Sequence, residues 1–142
     1  MNPSLKISLV NFIVAVVAFV VCDFLWLGLI LKSFYMSQIG ELLRTENGQM
    51  KPVLWAGALV YVLLSLGVVF LVLPRIAKPD SLIMTFLFGA LLGMIVYGTY
   101  DMTNYSILTK WPLPITWIDW AWGTFVCGLV TVITKTARDF LF

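Results

Sequence analysis

The residues of this chain that could do chemistry are concentrated in Tyr97-Gly98-Thr99-Tyr100-Asp101-Met102-Thr103-Asn104-Tyr105 and its continuation through Trp111-Pro112 to Asp119-Trp120-Ala121-Trp122-Gly123. Asp101 stands among three tyrosines and an asparagine near the end of a long apolar run. A carboxylate in hydrocarbon costs roughly 2.5–3.5 kcal/mol on insertion scales, so the fold has to offset it. Tyrosine hydroxyls and an asparagine amide can donate to a carboxylate. Carboxylates and tyrosines can also act as acids, bases or cation ligands. Two further acids, Asp23 and Asp119, share apolar surroundings, and no lysine or arginine stands at matching depth. The acids are therefore expected to be protonated, hydrogen-bonded, wetted by a cavity or bound to a cation.

Composition narrows the chemistry. The 142 residues are 61% hydrophobic and 11% charged, against about 25% charged in soluble domains. Mean hydropathy is +1.00. The solvent is a bilayer, and the length suits one domain, residues 1–142. The net charge of +2 is too small and scattered for a nucleic-acid surface. Without histidine, histidine-ligated haem and histidine acid–base catalysis are excluded. No metal-ligand spacing, activated nucleophile or cofactor motif is present, so whether the chain is an enzyme stays open and its cofactor unknown. Cys22 and Cys127 lie in apolar runs and read as buried thiols rather than a disulfide. The first apolar run is too long for a cleaved signal peptide.

Four segments are long and apolar enough to span a bilayer: about 7–31, 52–73, 82–108 and 116–135. The fold class is all-α, an integral membrane bundle of four transmembrane helices with a short amphipathic surface helix between the first two. That surface helix comes from Tyr35, Ile39, Leu42 and Leu43, which recur at helical spacing among polar residues. Its expected range is 35–46, ended by Asn47-Gly48 and lying over the acids as a lid. Pro74-Arg75-Ile76-Ala77-Lys78-Pro79 reads as a tight basic turn, followed by Asp80 and Ser81 as caps. The second span, with Tyr61 and Ser65 among its few polar residues, reads as packing. Thr116-x-x-Asp119 matches a capping box for the fourth.

In the third span, Gly89, Gly93, Tyr97, Asp101 and Tyr105 follow one another every four residues, with Asn104 adjoining. Residues at i and i+4 share a helix face, so a Gly-x-x-x-Gly patch for close helix approach continues into tyrosine, aspartate and tyrosine. Depths agree: Asp23 lies roughly 12 Å, Asp101 roughly 10 Å and Asp119 roughly 5 Å from one membrane face, at about 1.5 Å per residue. Lys6, Arg75, Lys78, Lys135 and Arg138, with the N-terminal amine, flank the opposite face, against Lys32, Arg44, Lys51 and Lys110. The positive-inside rule then puts both termini in the cytoplasm by a narrow margin.

These residues resemble a bacterial family of small four-helix inner-membrane proteins, filed as domain of unknown function number 2177. The resemblance runs through Asp23-Phe24-Leu25-Trp26-Leu27-Gly28, Phe34-Tyr35, Leu42-Leu43, Tyr97 to Asn104, Trp111-Pro112, Thr116, and Asp119 with Trp122-Gly123. It implies four spans in the bacterial inner membrane and carries no activity with it.

The candidate ligand-binding set is Asp23, Trp26, Tyr97, Tyr100, Asp101, Asn104, Tyr105, Thr116, Asp119 and Trp122. Three functions fit it. A pocket in one leaflet would bind or handle a small molecule, cation or lipid. A non-enzymatic subunit or assembly partner would use the polar cluster to fix helix register. Ion-coupled transport would need a homo-oligomer. The partners expected are the bilayer and a lipid or small molecule, with no nucleic acid. The tryptophans Trp26, Trp111, Trp117, Trp120 and Trp122 also read as an interfacial belt, and Asp119 as a cap alone.

Overall fold

The structure, a computed structural model, describes residues 3–77 and 80–142. Lys78 and Pro79 of the basic turn and the amine of Met1 lie outside the described residues. Four helices are long and apolar enough to cross a membrane: Ser4–Ile30, Leu54–Arg75, Leu82–Ile107 and Leu113–Leu141. The first is α1 (Pro3–Asp23) continued by a π-helical turn, Phe24–Ile30. The second is α3 (Leu54–Leu66), continued by a π turn, Gly67–Val72, and a 3-10 turn, Leu73–Arg75. The third and fourth are α4 (Leu82–Ile107) and α5 (Leu113–Leu141).

Between the first two spans lies α2 (Lys32–Ile39), one 3-10 turn (Gly40–Leu42) and a small hairpin, β1 (Thr45–Glu46) paired antiparallel with β2 (Gln49–Met50). The expected helix over 35–46 is thus shorter. Asn47-Gly48 does not end a helix; it is the hairpin turn, with φ of 51° and 73°. Two consecutive positive φ values are what Asn-Gly supplies in a type I′ turn, whose twist matches the flanking strands. Lys32 Nζ donates to Gln49 Oε1 over 2.7 Å and ties the hairpin to α2. Lys110 Nζ donates to Glu41 over 2.6 Å and ties the 3-10 turn to the α4–α5 loop.

Ser81 caps α4, accepting from the Met84 amide at 3.2 Å, while Asp80 accepts from Ala77 N at 2.7 Å. The capping box at Thr116 does not form. α5 begins three residues earlier, with Pro112 at the cap and a proline in its first turn, where a missing N–H costs nothing. Thr116 Oγ1 accepts from Trp111 Nε1 at 3.1 Å and donates to the Pro112 carbonyl at 3.3 Å.

α5 is the centre of the bundle. It packs most extensively on α4 and also touches α1, α2 and the π turn of α3. The glycine patch explains the α4–α5 approach. A methyl group at Gly89 would stand 2.6 Å from the Cys127 carbonyl oxygen, and one at Gly93 would stand 2.8 Å from Cys127 Cβ. Gly123 leaves the space that the Tyr97 ring fills. α3 meets α4 chiefly through its π turn, where a Cβ on Gly67 would stand 3.0 Å from Leu92. Toward its N-terminus α3 parts from α4. Cys22 and Cys127 are free thiols. At the far end Lys135, 4% exposed, pairs with Asp139 at 2.7 Å, and Arg138 reaches the carbonyls of Leu73 and Ile76.

Candidate functional site

Three acids enter the bundle from the end that carries α2. Asp23 stands seven residues inside Ile30, Asp101 six inside Ile107 and Asp119 six inside Leu113. The earlier start of α5 places Asp119 roughly 9 Å deep, level with the other two rather than within the first turn. Its role as a cap is excluded by the same shift, and its partner is a side chain from another element.

Each acid has a different environment. Asp23, at the junction of α1 and its π turn, accepts from Trp122 Nε1 at 2.8 Å, and Tyr61 of α3 lies within electrostatic reach of it. Trp122 in turn stacks on Trp26, with ring centroids 4.3 Å apart and planes 3° from parallel. Asp119 accepts from the hydroxyl of Tyr35 in α2 at 2.6 Å. Burial, then the Asp119 carboxylate beside it, pushes the Tyr35 hydroxyl above its ordinary range, so it remains a donor at neutral pH. Tyr35 and Ile39 are buried against Ile115 of α5, with Trp26, Leu31 and Trp111 around them. α2 therefore plugs this end of the bundle.

Asp101 is fully buried, 0% exposed, and neither carboxylate oxygen has a hydrogen-bond partner among the described residues. It lies within electrostatic reach of Asp119, which lies within reach of Asp23. The expectation that neighbouring tyrosines and Asn104 would satisfy it fails. Tyr97 is directed into the space at Gly123, and Asn104 lies beside Tyr100. Tyr105 is 47% exposed. A four-residue step advances about 40° beyond a full turn, so a stripe of five such residues turns through about 160° and its last member leaves the face.

A cleft of about 360 Å³ opens between α3 and α4. Its walls are Val60, Leu63 and Leu64 on one side and Val96, Tyr97 and Tyr100 on the other, with Asp119 as its carboxylate. Val60, Leu63, Val96 and Tyr100 are all exposed at the bundle surface, so the cleft opens sideways, toward lipid. The volume is within the usual range for small-ligand sites, roughly 300–1,000 Å³.

Of the sequence-derived set, Asp23, Trp26 and Trp122 form one connected group. Tyr97, Tyr100 and Asp119 line the cleft, with Asp101 in electrostatic reach of Asp119 and Asn104 beside Tyr100. Tyr105 and Thr116 are outside: one is exposed, the other clamps the α4–α5 loop. Tyr35 and Tyr61 were missing from that set. Tyr61 lies seven residues inside Leu54, the depth of the acids, which was the available signal. Most of the tryptophans also hold a contact inside the protein: besides the Trp26–Trp122 stack, Trp120 donates to the Met94 carbonyl at 2.8 Å and Trp111 to Thr116.

The family model described as "Predicted membrane protein (DUF2177)" matches residues 8–136. The chain belongs to this family. It is a membrane protein with four apolar helices, and the family match takes in every residue of the acid cluster while leaving Arg138 and Asp139 outside. No curated protein and no solved structure matches the chain.

Proposed function

We propose that this protein binds an amphiphile taken sideways from the bilayer, its apolar part in the α3–α4 cleft and its polar group at Asp119 and Asp101. The observation that carries this reading is the cleft itself: apolar walls open to lipid lead to a carboxylate roughly 9 Å below the helix end. An ordinary lipid-facing groove has no reason to hold a carboxylate there, given its cost in hydrocarbon. α2, anchored through Tyr35, closes the aqueous side and leaves the lateral opening as the route in. A structural role in helix register suits Asp23, which joins α1 to α5 through Trp122.

The flanking lysines and arginines favour both termini cytoplasmic, and in the bacterial inner membrane that the family resemblance implies, the cleft would open in the outer leaflet. The test is native mass spectrometry of the full chain released from nanodiscs. A retained amphiphile is expected on the wild type and not on Val60→Trp, which fills the cleft. Equal retention by both proteins, or none by either, overturns the reading.

A further inference from the structure

We infer that the amphiphile this cleft takes carries a protonated amine with N–H donors and no phosphate, the ammonium entering at Asp119 and reaching toward the buried Asp101 beyond the cleft's lining. The inference rests on the cleft reading above and adds the chemistry of the head group. Asp101 is fully buried with both carboxylate oxygens unpartnered. The great majority of buried polar groups are hydrogen-bonded, and each exception calls for an explanation such as a functional role or a bound water or ion. Two oxygens call for donors, and an ammonium supplies up to three.

Charge points the same way. Asp101 and Asp119 are in electrostatic reach of each other. Among the described residues, the lysine and arginine ion pairs all lie elsewhere: Lys51 with Glu46 and Lys110 with Glu41 at the exposed rim, Lys135 and Arg138 with Asp139 at the opposite end. A cation between the two carboxylates is attracted by both, while a phosphate would meet two acids and no basic side chain. A divalent metal suits the site poorly, because no group of three acidic, cysteine or histidine ligands occurs among the described residues and hard cations take six or more oxygens. Tyr97 and Tyr100 line the approach, and their rings attract a cation. The apolar walls then hold a hydrocarbon chain.

The experiment uses the full chain in phosphatidylcholine nanodiscs doped with octadecylamine, octadecanol or octadecyltrimethylammonium. Retention is read by native mass spectrometry and thermal shift. Octadecylamine is expected to be retained at least about tenfold better than the other two. Asp101→Asn and Asp119→Asn should each abolish that preference. The two variants are independent, so the comparison survives if one of them does not fold. Equal retention of amine and alcohol overturns the cationic head group and leaves the cleft reading standing. Equal retention of the amine and the trimethylammonium overturns the need for N–H donors. Preference for the amine that persists in both variants removes the acids from the account. Retention of none of the chains takes the cleft reading down as well.

Discussion

Tyr35 and Asp119, 84 residues apart in sequence, are joined by a 2.6 Å hydrogen bond that fastens the surface helix to the central helix of the bundle. The ring of Tyr35 is also packed against Ile115. Tyr35→Phe keeps that packing and removes only the donor, leaving the Asp119 carboxylate without it. A buried acceptor left unpaired costs about 1–3 kcal/mol, and the partly buried Asp119 sets that as the upper bound. Urea or SDS titration should show a loss of up to that size, and hydrogen exchange should accelerate over 32–50. An unchanged exchange pattern would mean that α2 is held by its apolar contacts alone.

The same hydroxyl gives a pH dependence. Its folded-state pKa is raised above the unfolded tyrosine value of about 10. The stability it contributes is therefore complete below pH about 10 and is lost as pH rises toward the folded value. The difference in melting temperature between wild type and Tyr35→Phe should be constant across neutral pH and shrink above that point. A difference that grows with alkalinity would contradict the assignment of sign.

Asp101 gives a prediction opposite to the one its sequence neighbours suggest. If tyrosines and Asn104 donated to it, Asp101→Leu would strand them and cost stability. The carboxylate has no such partner, so replacing it removes an unsatisfied group. Asp101→Leu should leave the melting temperature of the ligand-free protein unchanged or raise it, by up to about 1–3 kcal/mol in stability. A marked loss of stability would show that Asp101 is paired in the membrane.

The glycines divide sharply. Gly93→Ala drives a methyl group into the Gly123 carbonyl and Cys127, an overpacking that costs about 1–3 kcal/mol. Gly57, in α3, has nothing within 4 Å of the added carbon, so Gly57→Ala should stabilise by about 0.5–1 kcal/mol. Parallel thermal melts of the two variants test this. Similar behaviour would mean that α4 and α5 are not so closely apposed.

Much of this arrangement was legible in the residues. Four apolar runs gave four helices, because length and hydropathy decide a span with little help from context. The i, i+4 glycines marked the α4–α5 contact because backbone approach depends on the absence of a side chain. The depth of Asp119 was misjudged because Thr116-x-x-Asp119 resembles a capping box, whereas Pro112 and a proline in the first turn start the helix sooner. The hairpin at Asn47-Gly48 carried a turn signal that competed with an amphipathic pattern. What sequence could not supply was pairing between elements. Trp122 reaching Asp23, 99 residues away, depends on how α1 and α5 are rotated about their axes, which no local pattern specifies.

The π turn at Phe24–Ile30 has one more consequence. Each residue removed from a helix rotates everything beyond it by about 100° and draws it back about 1.5 Å. A single-residue deletion between Asp23 and Trp26 would thus swing the Trp26 indole away from Trp122 and shift the origin of α2, changing no side chain in the acid cluster itself. The cluster is tuned by chain length at this point as much as by composition, so relatives with one residue fewer here should have lost the stacked tryptophans and the tyrosine plug together.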